Sequence, residues 1–230
     1  MEKKGHIAII SAKGGSKGLP GKNIKVIDGK PLLGHTISAA LNSGVVEKVF
    51  VSTDDKEVAN IAKNYGAEII WETEDKMYPY DLATESYWRF AVDEIEKQGT
   101  EIKLIVFMQC TSPFTTPEIV KQSVEKIYNE EYDSVITAFK TFRYYGELIN
   151  EEYVPFRKVR KRRQEMIPWY CDNGAIYVIK GDVFKKVQNR YGGKIGIVEM
   201  TEEDSMEIDD PENWWLAEQL IKRKKEGFKI

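Results

Sequence analysis

Two groups of residues have the types and spacing needed for chemistry on phosphate esters. The first is the segment 12–23, Ala-Lys-Gly-Gly-Ser-Lys-Gly-Leu-Pro-Gly-Lys-Asn, which contains four glycines and three lysines. Glycine lets the backbone approach a ligand closely with its N–H groups pointing inward, and lysine adds positive charge. This glycine-lysine turn is therefore suited to a polyphosphate, and a solvated surface loop is the alternative interpretation.

The spacing within this turn excludes two common phosphate-binding loops. A P-loop has four residues between its glycines and a hydroxyl residue after its lysine. Here five residues separate Gly15 from Gly21, and Asn23 follows Lys22. The dinucleotide fingerprint G-x-G-x-x-G is also absent from the segment. The sequence thus predicts that phosphate is bound by another scheme.

The second group is an acidic pair near the end of the chain. Glu207 and Asp209 are two residues apart, so on an extended segment their side chains project to the same side. Mg²⁺, which accompanies triphosphates, takes oxygen ligands from a few carboxylates and keeps several waters. The alternative is that both acids belong to a solvated loop in the acidic run 202–210. Asp54 is a further candidate, with helix capping as an equal alternative.

The elements that must position these residues follow from the hydrophobic pattern. Short apolar runs alternate with amphipathic helical segments along most of the chain, which predicts a three-layer α/β/α, Rossmann-like fold with a mostly parallel sheet. In such a sheet the ligand lies at the carboxyl ends of the strands, where the glycine-lysine turn begins. Residues 1–230 are expected to form one domain, from which the aromatic and charged segment 141–170 departs. The predicted strands are 7–10, 49–52, 68–71, 104–108, 134–138, 175–179 and 195–198.

Composition excludes several other classes of protein. A net charge of −3 argues against a dedicated nucleic-acid binder, although the basic run 157–163 leaves an anion site open. No apolar stretch approaches the roughly 18 residues of a membrane span, and the start does not resemble a signal peptide. Cys110 and Cys171 are expected to be free thiols in a reducing cytoplasm. Histidine-based catalysis is poorly supported, because His35 is expected to be structural and His6 is the only other histidine.

With these motifs in view, the chain resembles the acylneuraminate cytidylyltransferases. The segment 12–23 is similar to the opening of that family, and further similar motifs follow in order along the chain. They are Leu32-Leu33-Gly34-His35-Thr36, Val51-Ser52-Thr53-Asp54, Gln109-Cys110-Thr111-Ser112-Pro113, Arg162-Arg163-Gln164, Asn173-Gly174-Ala175-Ile176-Tyr177 and Glu207-Ile208-Asp209. The resemblance implies a nucleotide-diphospho-sugar transferase fold and an attack by a sugar hydroxyl on the α-phosphate of CTP.

The resemblance also implies roles for particular residues. Catalytic roles fall on Lys13, Lys17 and Arg163, and nucleotide binding on Ala12, Gly14, Gly15, Ser16, Lys22 and Asn23. The sugar is expected to contact Gln109, Thr111, Ser112 and Asn173, while Glu207 and Asp209 hold Mg²⁺. The expected partners are CTP, an acidic sugar and a second copy of the chain bound through residues 141–170, with neither nucleic acid nor membrane.

At three positions the chain departs from the family pattern, and these departures leave the identity of the nucleotide and of the sugar undecided. Lys13 stands where the family usually has arginine, and Glu72 lies where an arginine near the nucleotide is common. Asp172 belongs to a segment, 170–172, where many members carry an arginine for the sugar carboxylate. Legionaminic, pseudaminic and Kdo-type sugars, another nucleotide, and a catalytically impaired nucleotide-binding homologue therefore remain alternatives. Kdo ranks lower, because the Kdo enzymes carry Gln-Gly-Asp-Glu-Pro where this chain has 109–113.

Overall fold

The computed structural model describes residues 3–16, 18–70 and 84–227. A seven-stranded sheet forms the centre of the described part, with helices on both of its faces. Its strands are β1 (His6–Ser11), β4 (Lys48–Ser52), β5 (Glu68–Ile69), β6 (Leu104–Gln109), β7 (Ser134–Thr141), β10 (Trp169–Lys180) and β11 (Ile195–Met200). Two hairpins stand apart from it, β2 (Val26–Ile27) with β3 (Lys30–Pro31) and β8 (Gly146–Ile149) with β9 (Glu152–Pro155). The helices are α1 (Leu32–Asn42), α2 (Lys56–Asn64), α3 (Thr84–Lys97), α4 (Pro117–Asn129), α5 (Gly181–Val187) and α6 (Pro211–Lys225).

The strand order confirms the predicted α/β architecture with a mostly parallel sheet. The strands lie in the order β11-β7-β10-β6-β1-β4-β5. All neighbouring strands are parallel except β10, which runs antiparallel to both β6 and β7. Strand β10 follows β7 without an intervening crossover helix, so it returns in the opposite direction.

The core lies on both faces of the sheet. Along β6, Leu104, Val106 and Met108 pack into one apolar cluster, while Ile105 and Phe107 pack into the cluster on the opposite face. All five side chains are at most 1% exposed. Burial on both faces explains why this strand reads as an uninterrupted apolar run.

Helix boundaries follow the signals in the sequence. Thr116 caps α4 by accepting a hydrogen bond from the backbone N–H of Ile119, and Asp210 caps α6 in the same way. Asp55 caps α2, so the capping role considered for Asp54 belongs to its neighbour. Gly44 follows α1 with φ +72°, a left-handed conformation that favours glycine.

A third apolar cluster supports the loop that carries the acidic pair. Ile208, between the two acids, is fully buried with Trp214 and Ala217 of α6. Phe114, which follows β6, packs into the same cluster. This packing holds the loop 201–210 against the carboxyl edge of the sheet, where the glycine-lysine turn also lies.

The excursion at residues 141–170 contains the β8–β9 hairpin and a short 3-10 turn at Arg163–Glu165. Strand β10 begins at Trp169, earlier than the predicted strand 175–179, because residues 169–172 already pair with β7. Within the described ranges, no helix is long and apolar enough to cross a membrane.

Candidate active site

The glycine-lysine turn leaves β1 and is fixed to the end of β4. The N–H of Ala12 donates to the carbonyl of Ser52 (2.9 Å), and the N–H of Gly14 donates to Asp54 Oδ1 (2.7 Å). A Cβ built on Gly14 would lie 2.6 Å from the Cβ of Asp55, so glycine permits this close approach. Asp54 thus anchors the turn. The amides of Ala12 and Gly14, both predicted to bind nucleotide, are bonded within the protein.

Asn23, at the end of the turn, is buried and bonded on both sides of its amide. Its Nδ2 donates to the carbonyl of Lys13 (2.7 Å), and its Oδ1 accepts from the Cys110 thiol (3.0 Å). Asn23 therefore ties the turn to the end of β6. Its predicted contact with the nucleotide stays a prediction.

Lys22 joins the turn to the acidic pair. Its Nζ donates to the carbonyl of Ile208 (2.9 Å) and to Asp209 Oδ1 (2.7 Å), and its side chain is 10% exposed. Gly18 lies against the carbonyl of Asp209, so closely that a Cβ there would clash. Residues about 190 positions apart in sequence thus meet at one edge of the sheet. The sequence motifs predicted that Lys22 and Asp209 belong to one site, but they did not indicate that the two residues are in direct contact.

Glu207 of the acidic pair lies among like charges. Burial raises the pKa of the half-buried Glu207, the negative charges of Asp209 and Asp172 raise it further, and the charge of Lys22 partly opposes the shift. A divalent cation would relieve this repulsion. Among the described residues, no three His, Cys, Asp or Glu side chains are grouped as a metal cluster. Mg²⁺ nevertheless fits, because it is usually bound by one or two carboxylates together with substrate phosphates and water.

A cleft of about 520 Å³ opens beside Glu207. At its floor, Gly174 adopts φ +71°, and a Cβ there would lie 2.6 Å from Glu207 Oε1 and 2.8 Å from Gln109 Nε2. Gly174 therefore brings a predicted sugar-binding residue and a predicted metal ligand close together. The residues that line the cleft are Phe139, Asp172, Asn173, Gly174, Tyr177, Ser205 and Glu207.

Asn173 lines this cleft, but the protein engages its side-chain amide. Its Oδ1 accepts from Thr137 Oγ1 (2.7 Å), while its Nδ2 donates to Ser205 Oγ (2.8 Å) and contacts Met200 Sδ (3.2 Å). Asn173 thereby fixes β10 to β7 and to the loop 201–205. Because these bonds orient the Asn173 amide within the protein, its predicted contact with the sugar stays a prediction.

The other predicted sugar-binding residues lie at the end of β6 and just after it, and they differ in how exposed they are. Thr111 Oγ1 donates to Gln109 Oε1 (3.1 Å), and the Thr111 carbonyl accepts from the N–H of Ile208 (2.9 Å). Ser112 is 1% exposed, and its hydroxyl has no hydrogen-bond partner in the described part of the chain. Ser112 is thus inaccessible in this conformation, while Gln109 and Thr111 lie beside the acidic loop.

Of the remaining predicted residues, those of the glycine-lysine turn that the structure describes do not line the cleft. Lys13 and Gly15 are exposed, and the N–H of Ser16 donates to the carbonyl of Gly14 (3.2 Å). Lys17 lies outside the described residues, as does Glu72. Arg163 does not line the cleft.

Arg163 belongs instead to the excursion. Its guanidinium carbon lies 5.0 Å from the ring centroid of Phe142. It lines a separate cavity of about 420 Å³ together with Lys140, Arg160 and Lys161. Within one chain, the structure does not bring Arg163 to the acidic pair, and its catalytic role stays a prediction.

Comparison with known proteins identifies the family. A family model described as cytidylyltransferase matches residues 7–225. The chain belongs to the cytidylyltransferase family. This match spans both halves of the site, from β1 to the end of α6.

Two curated relatives are named for the reactions that they catalyse. The chain is 35% identical over 229 residues to N-acylneuraminate cytidylyltransferase A of Danio rerio, covering 96% of this chain and 52% of that one. It is 30% identical over 237 residues to CMP-N,N'-diacetyllegionaminic acid synthase of Legionella pneumophila, covering 96% and 98%. The chain therefore spans about half the length of the Danio rerio relative and nearly the whole of the Legionella relative.

Solved structures share the fold of this chain. A CMP:2-keto-3-deoxy-manno-octonic acid synthetase complexed with CTP superposes with a TM-score of 0.69 at 17% identity, covering 95% of this chain and 99% of that one. A 4-diphosphocytidyl-2C-methyl-D-erythritol synthase from Anaerococcus prevotii gives 0.66 at 16% identity, covering 96% and 100%. At such identities the likeness shows the fold alone.

Proposed function

We propose that this cytidylyltransferase transfers CMP from CTP to an acidic nonulosonic sugar and releases pyrophosphate. The observation that carries the proposal is the contact of Lys22 with Asp209 and Ile208, which joins the glycine-lysine turn to the acidic pair. The family supports nucleotidyl transfer. The names of the curated relatives support a sialic or legionaminic acid as the acceptor.

The reaction forms one bond and breaks another at the α-phosphorus. A sugar hydroxyl oxygen bonds to that phosphorus, the bond to the β-phosphate oxygen breaks, and the hydroxyl proton is released. Such a step needs the reactants in line and fixed positive charge near the phosphates. Lys22 supplies a buried charge at the junction, and we assign Lys13 and Lys17 to the phosphates from the family resemblance. For Arg163 we keep the catalytic role that the same resemblance implies.

The acidic pair is the proposed Mg²⁺ site. Glu207 and Asp209 would hold the ion, which would neutralise charge developing on the phosphate oxygens. Lys22 would keep one oxygen of Asp209 in place, because it already donates to Oδ1. The burial of Ile208 fixes the backbone between the two carboxylates.

A pyrophosphate-release screen tests the proposal. It crosses the four nucleoside triphosphates with N-acetylneuraminic, N,N'-diacetyllegionaminic, pseudaminic and Kdo acids at saturating Mg²⁺. We expect release with CTP and a nine-carbon sugar, and weaker release with Kdo. Saturable CTP binding without release on any sugar would instead favour the impaired nucleotide-binding homologue.

A homodimer formed through the excursion is part of the proposal. The β8–β9 hairpin pairs apart from the main sheet, and large apolar side chains around it are exposed, including Leu148 (74%), Tyr153 and Phe156. Such a surface is typical of an interface. Sedimentation at micromolar concentration should give about twice the 26.5 kDa chain mass.

A matched pair of variants tests whether the β8–β9 hairpin forms the dimer interface or whether any charge added to the surface alters sedimentation. Leu148→Asp should shift the protein to the monomer, whereas Val26→Asp, at an exposed position on β2, should not. A wild-type protein that sediments as a monomer would overturn the dimer. The compartment that we propose is the cytoplasm, because free Cys110 and Cys171 suit a reducing environment.

A further inference from the structure

A wide irregularity in β10 shapes one wall of the cleft. Residues 169–172 pair with residues 138–141 of β7, and pairing resumes with Tyr177 opposite Ile136. Four residues, 173–176, thus lie opposite the single residue Thr137. Thr137 Oγ1 accepts from the N–H of Ile176 (3.0 Å), which stabilises the irregularity. Its consequence is that Asp172 and Tyr177, five positions apart, can touch.

Asp172 is held through one of its carboxylate oxygens. Tyr177 donates its hydroxyl to Asp172 Oδ1 (2.9 Å), and the N–H of Gly174 donates to the same oxygen (3.0 Å). In the part of the chain that the structure describes, no hydrogen bond falls on Oδ2. Asp172 is exposed at the cleft, so this second oxygen is available to a ligand there.

Tyr177 is in turn supported from the far side. The guanidinium carbon of Arg190 lies 4.8 Å from the Tyr177 ring centroid. Arg190 donates from Nε and Nη2 to Glu85 Oε1 (2.9 and 2.7 Å), in the first turn of α3. Burial raises the pKa of the Tyr177 hydroxyl, and the Asp172 charge adds to this effect. The hydroxyl therefore stays protonated and keeps donating to Asp172.

The charge of the cleft constrains how an acidic sugar can enter. Asp172 and Glu207 both line it, and the charge of Asp172 is close enough to raise the pKa of Glu207. A sugar carboxylate placed against Asp172 would meet like charge, and the nearby Arg190 already donates to Glu85. A hydroxyl or amide N–H of the sugar would instead find a fixed, charged acceptor.

We propose that Asp172 is a specificity-determining residue that accepts a hydrogen bond from one hydroxyl or acylamino N–H of the sugar, with the sugar carboxylate directed away from it. Tyr177 and Arg190 act as positioning residues for this carboxylate of Asp172. The inference rests on the proposed function and deepens it, because it states which chemical group of the sugar the cleft recognises.

The test crosses Asp172 variants with sugars that each lack one donor. Wild type, Asp172→Asn and Asp172→Ala are assayed for pyrophosphate release with N-acetylneuraminic acid and its 4-, 7-, 8- and 9-deoxy and 5-deacylamino analogues. Asp182→Asn, at an exposed carboxylate on α5, is the matched control. Thermal unfolding of each variant identifies any that fails to fold. If Asp172→Ala fails, the test is carried by Tyr177→Phe and by Asp172→Asn, whose side-chain oxygen can still accept from the Gly174 N–H.

We expect Asp172→Ala to lower kcat/KM for the full sugar by about 10- to 150-fold, the range for a hydrogen bond to a charged group, with KM for CTP unchanged. One analogue should lower wild-type kcat/KM by a similar factor and cause no further loss in Asp172→Ala. Tyr177→Phe should weaken discrimination against that analogue. If Asp172→Ala loses the same factor on every analogue, the assignment of Asp172 is wrong. If wild type releases no pyrophosphate with any sugar, the proposed function itself fails.

Discussion

Lys22 Nζ lies 2.7 Å from Asp209 Oδ1 and 2.9 Å from the carbonyl of Ile208, so a lysine of the glycine-lysine turn directly holds the acidic loop. The two segments come from opposite ends of the chain and meet where β1 and β6 end. Because the lysine is 10% exposed on its side chain, its charge is less screened than that of a surface lysine. The contact makes the turn and the acidic pair one unit.

Lys22→Met should break the contact between the turn and the acidic pair, while the methionine side chain keeps much of the apolar packing of the lysine stem. We expect kcat to fall by about 10²- to 10³-fold, as when a preorganised charge donor is lost, and stability to fall by about 1–3 kcal/mol because acceptors lose their partner. Steady-state kinetics and thermal unfolding measure the two effects.

Lys25→Met is the matched control for Lys22. Its Nζ lies 4.1 Å from the Trp214 ring centroid, and its side chain is exposed. We expect kcat within about twofold of wild type and a stability loss of about 0.5–1 kcal/mol from the cation–π contact. Equal effects of the two variants on kcat would contradict a special role for Lys22.

Asp209→Asn should raise the Mg²⁺ concentration needed for half-maximal activity and remove most activity, by about 10²-fold or more. The control is Asp210→Asn, because asparagine caps helices about as well as aspartate and the α6 cap is thereby kept. An Mg²⁺ titration of pyrophosphate release compares them. Near-wild-type turnover of Asp209→Asn at ordinary Mg²⁺ would argue against the metal assignment.

Gly174→Ala should disturb both the backbone and the floor of the cleft. Its φ of +71° costs about 1–2 kcal/mol for an L-residue, and the new Cβ would approach Glu207 and Gln109 within 2.8 Å. Gly99→Ala shares the strain, with φ +85°, but meets no atom within 4 Å. Both should lose comparable stability in chemical denaturation, and Gly174→Ala should also lose activity. Equal activity of the two would show that the cleft tolerates the methyl group.

The two thiols should differ in reactivity. Burial raises the pKa of Cys110 to about 12, although the nearby Lys22 opposes the shift, whereas Cys171 is partly exposed. Only the thiolate reacts, and a pKa this far above pH 8 leaves almost none of it. Alkylation of the native protein at pH 8 should therefore modify Cys171 rapidly and Cys110 only on unfolding. Mass spectrometry of the peptides separates the two, and equal rates would contradict the buried geometry.

Much of the fold could be predicted from the sequence because its signals are local. The apolar run 104–108 shows the burial of β6, and Thr116 and Asp210 are caps as their residue types indicate. The family motifs likewise indicate the turn and the acidic pair. The antiparallel direction of β10 has no local signal, because it depends on the path of the chain through the excursion.

The geometry of the site could be predicted less well from the sequence, because it depends on contacts between residues that are distant along the chain. Nothing in the pattern around Lys22 indicates that it bonds to a loop near residue 208. The contact of Arg190 with Tyr177 also joins separate segments, although Tyr177 lies in the family motif 173–177. Burial could not be read from the motif for Ser112, whose inaccessibility arises from tertiary packing.

The central claim, transfer of the CMP group, is tested most directly by following the label of [α-³²P]CTP. With Mg²⁺ and N-acetylneuraminic or N,N'-diacetyllegionaminic acid, we predict that the label appears in a CMP-sugar and that unlabelled pyrophosphate forms in equal amount. Label recovered only in unreacted CTP, or in free CMP without the sugar, would contradict the account.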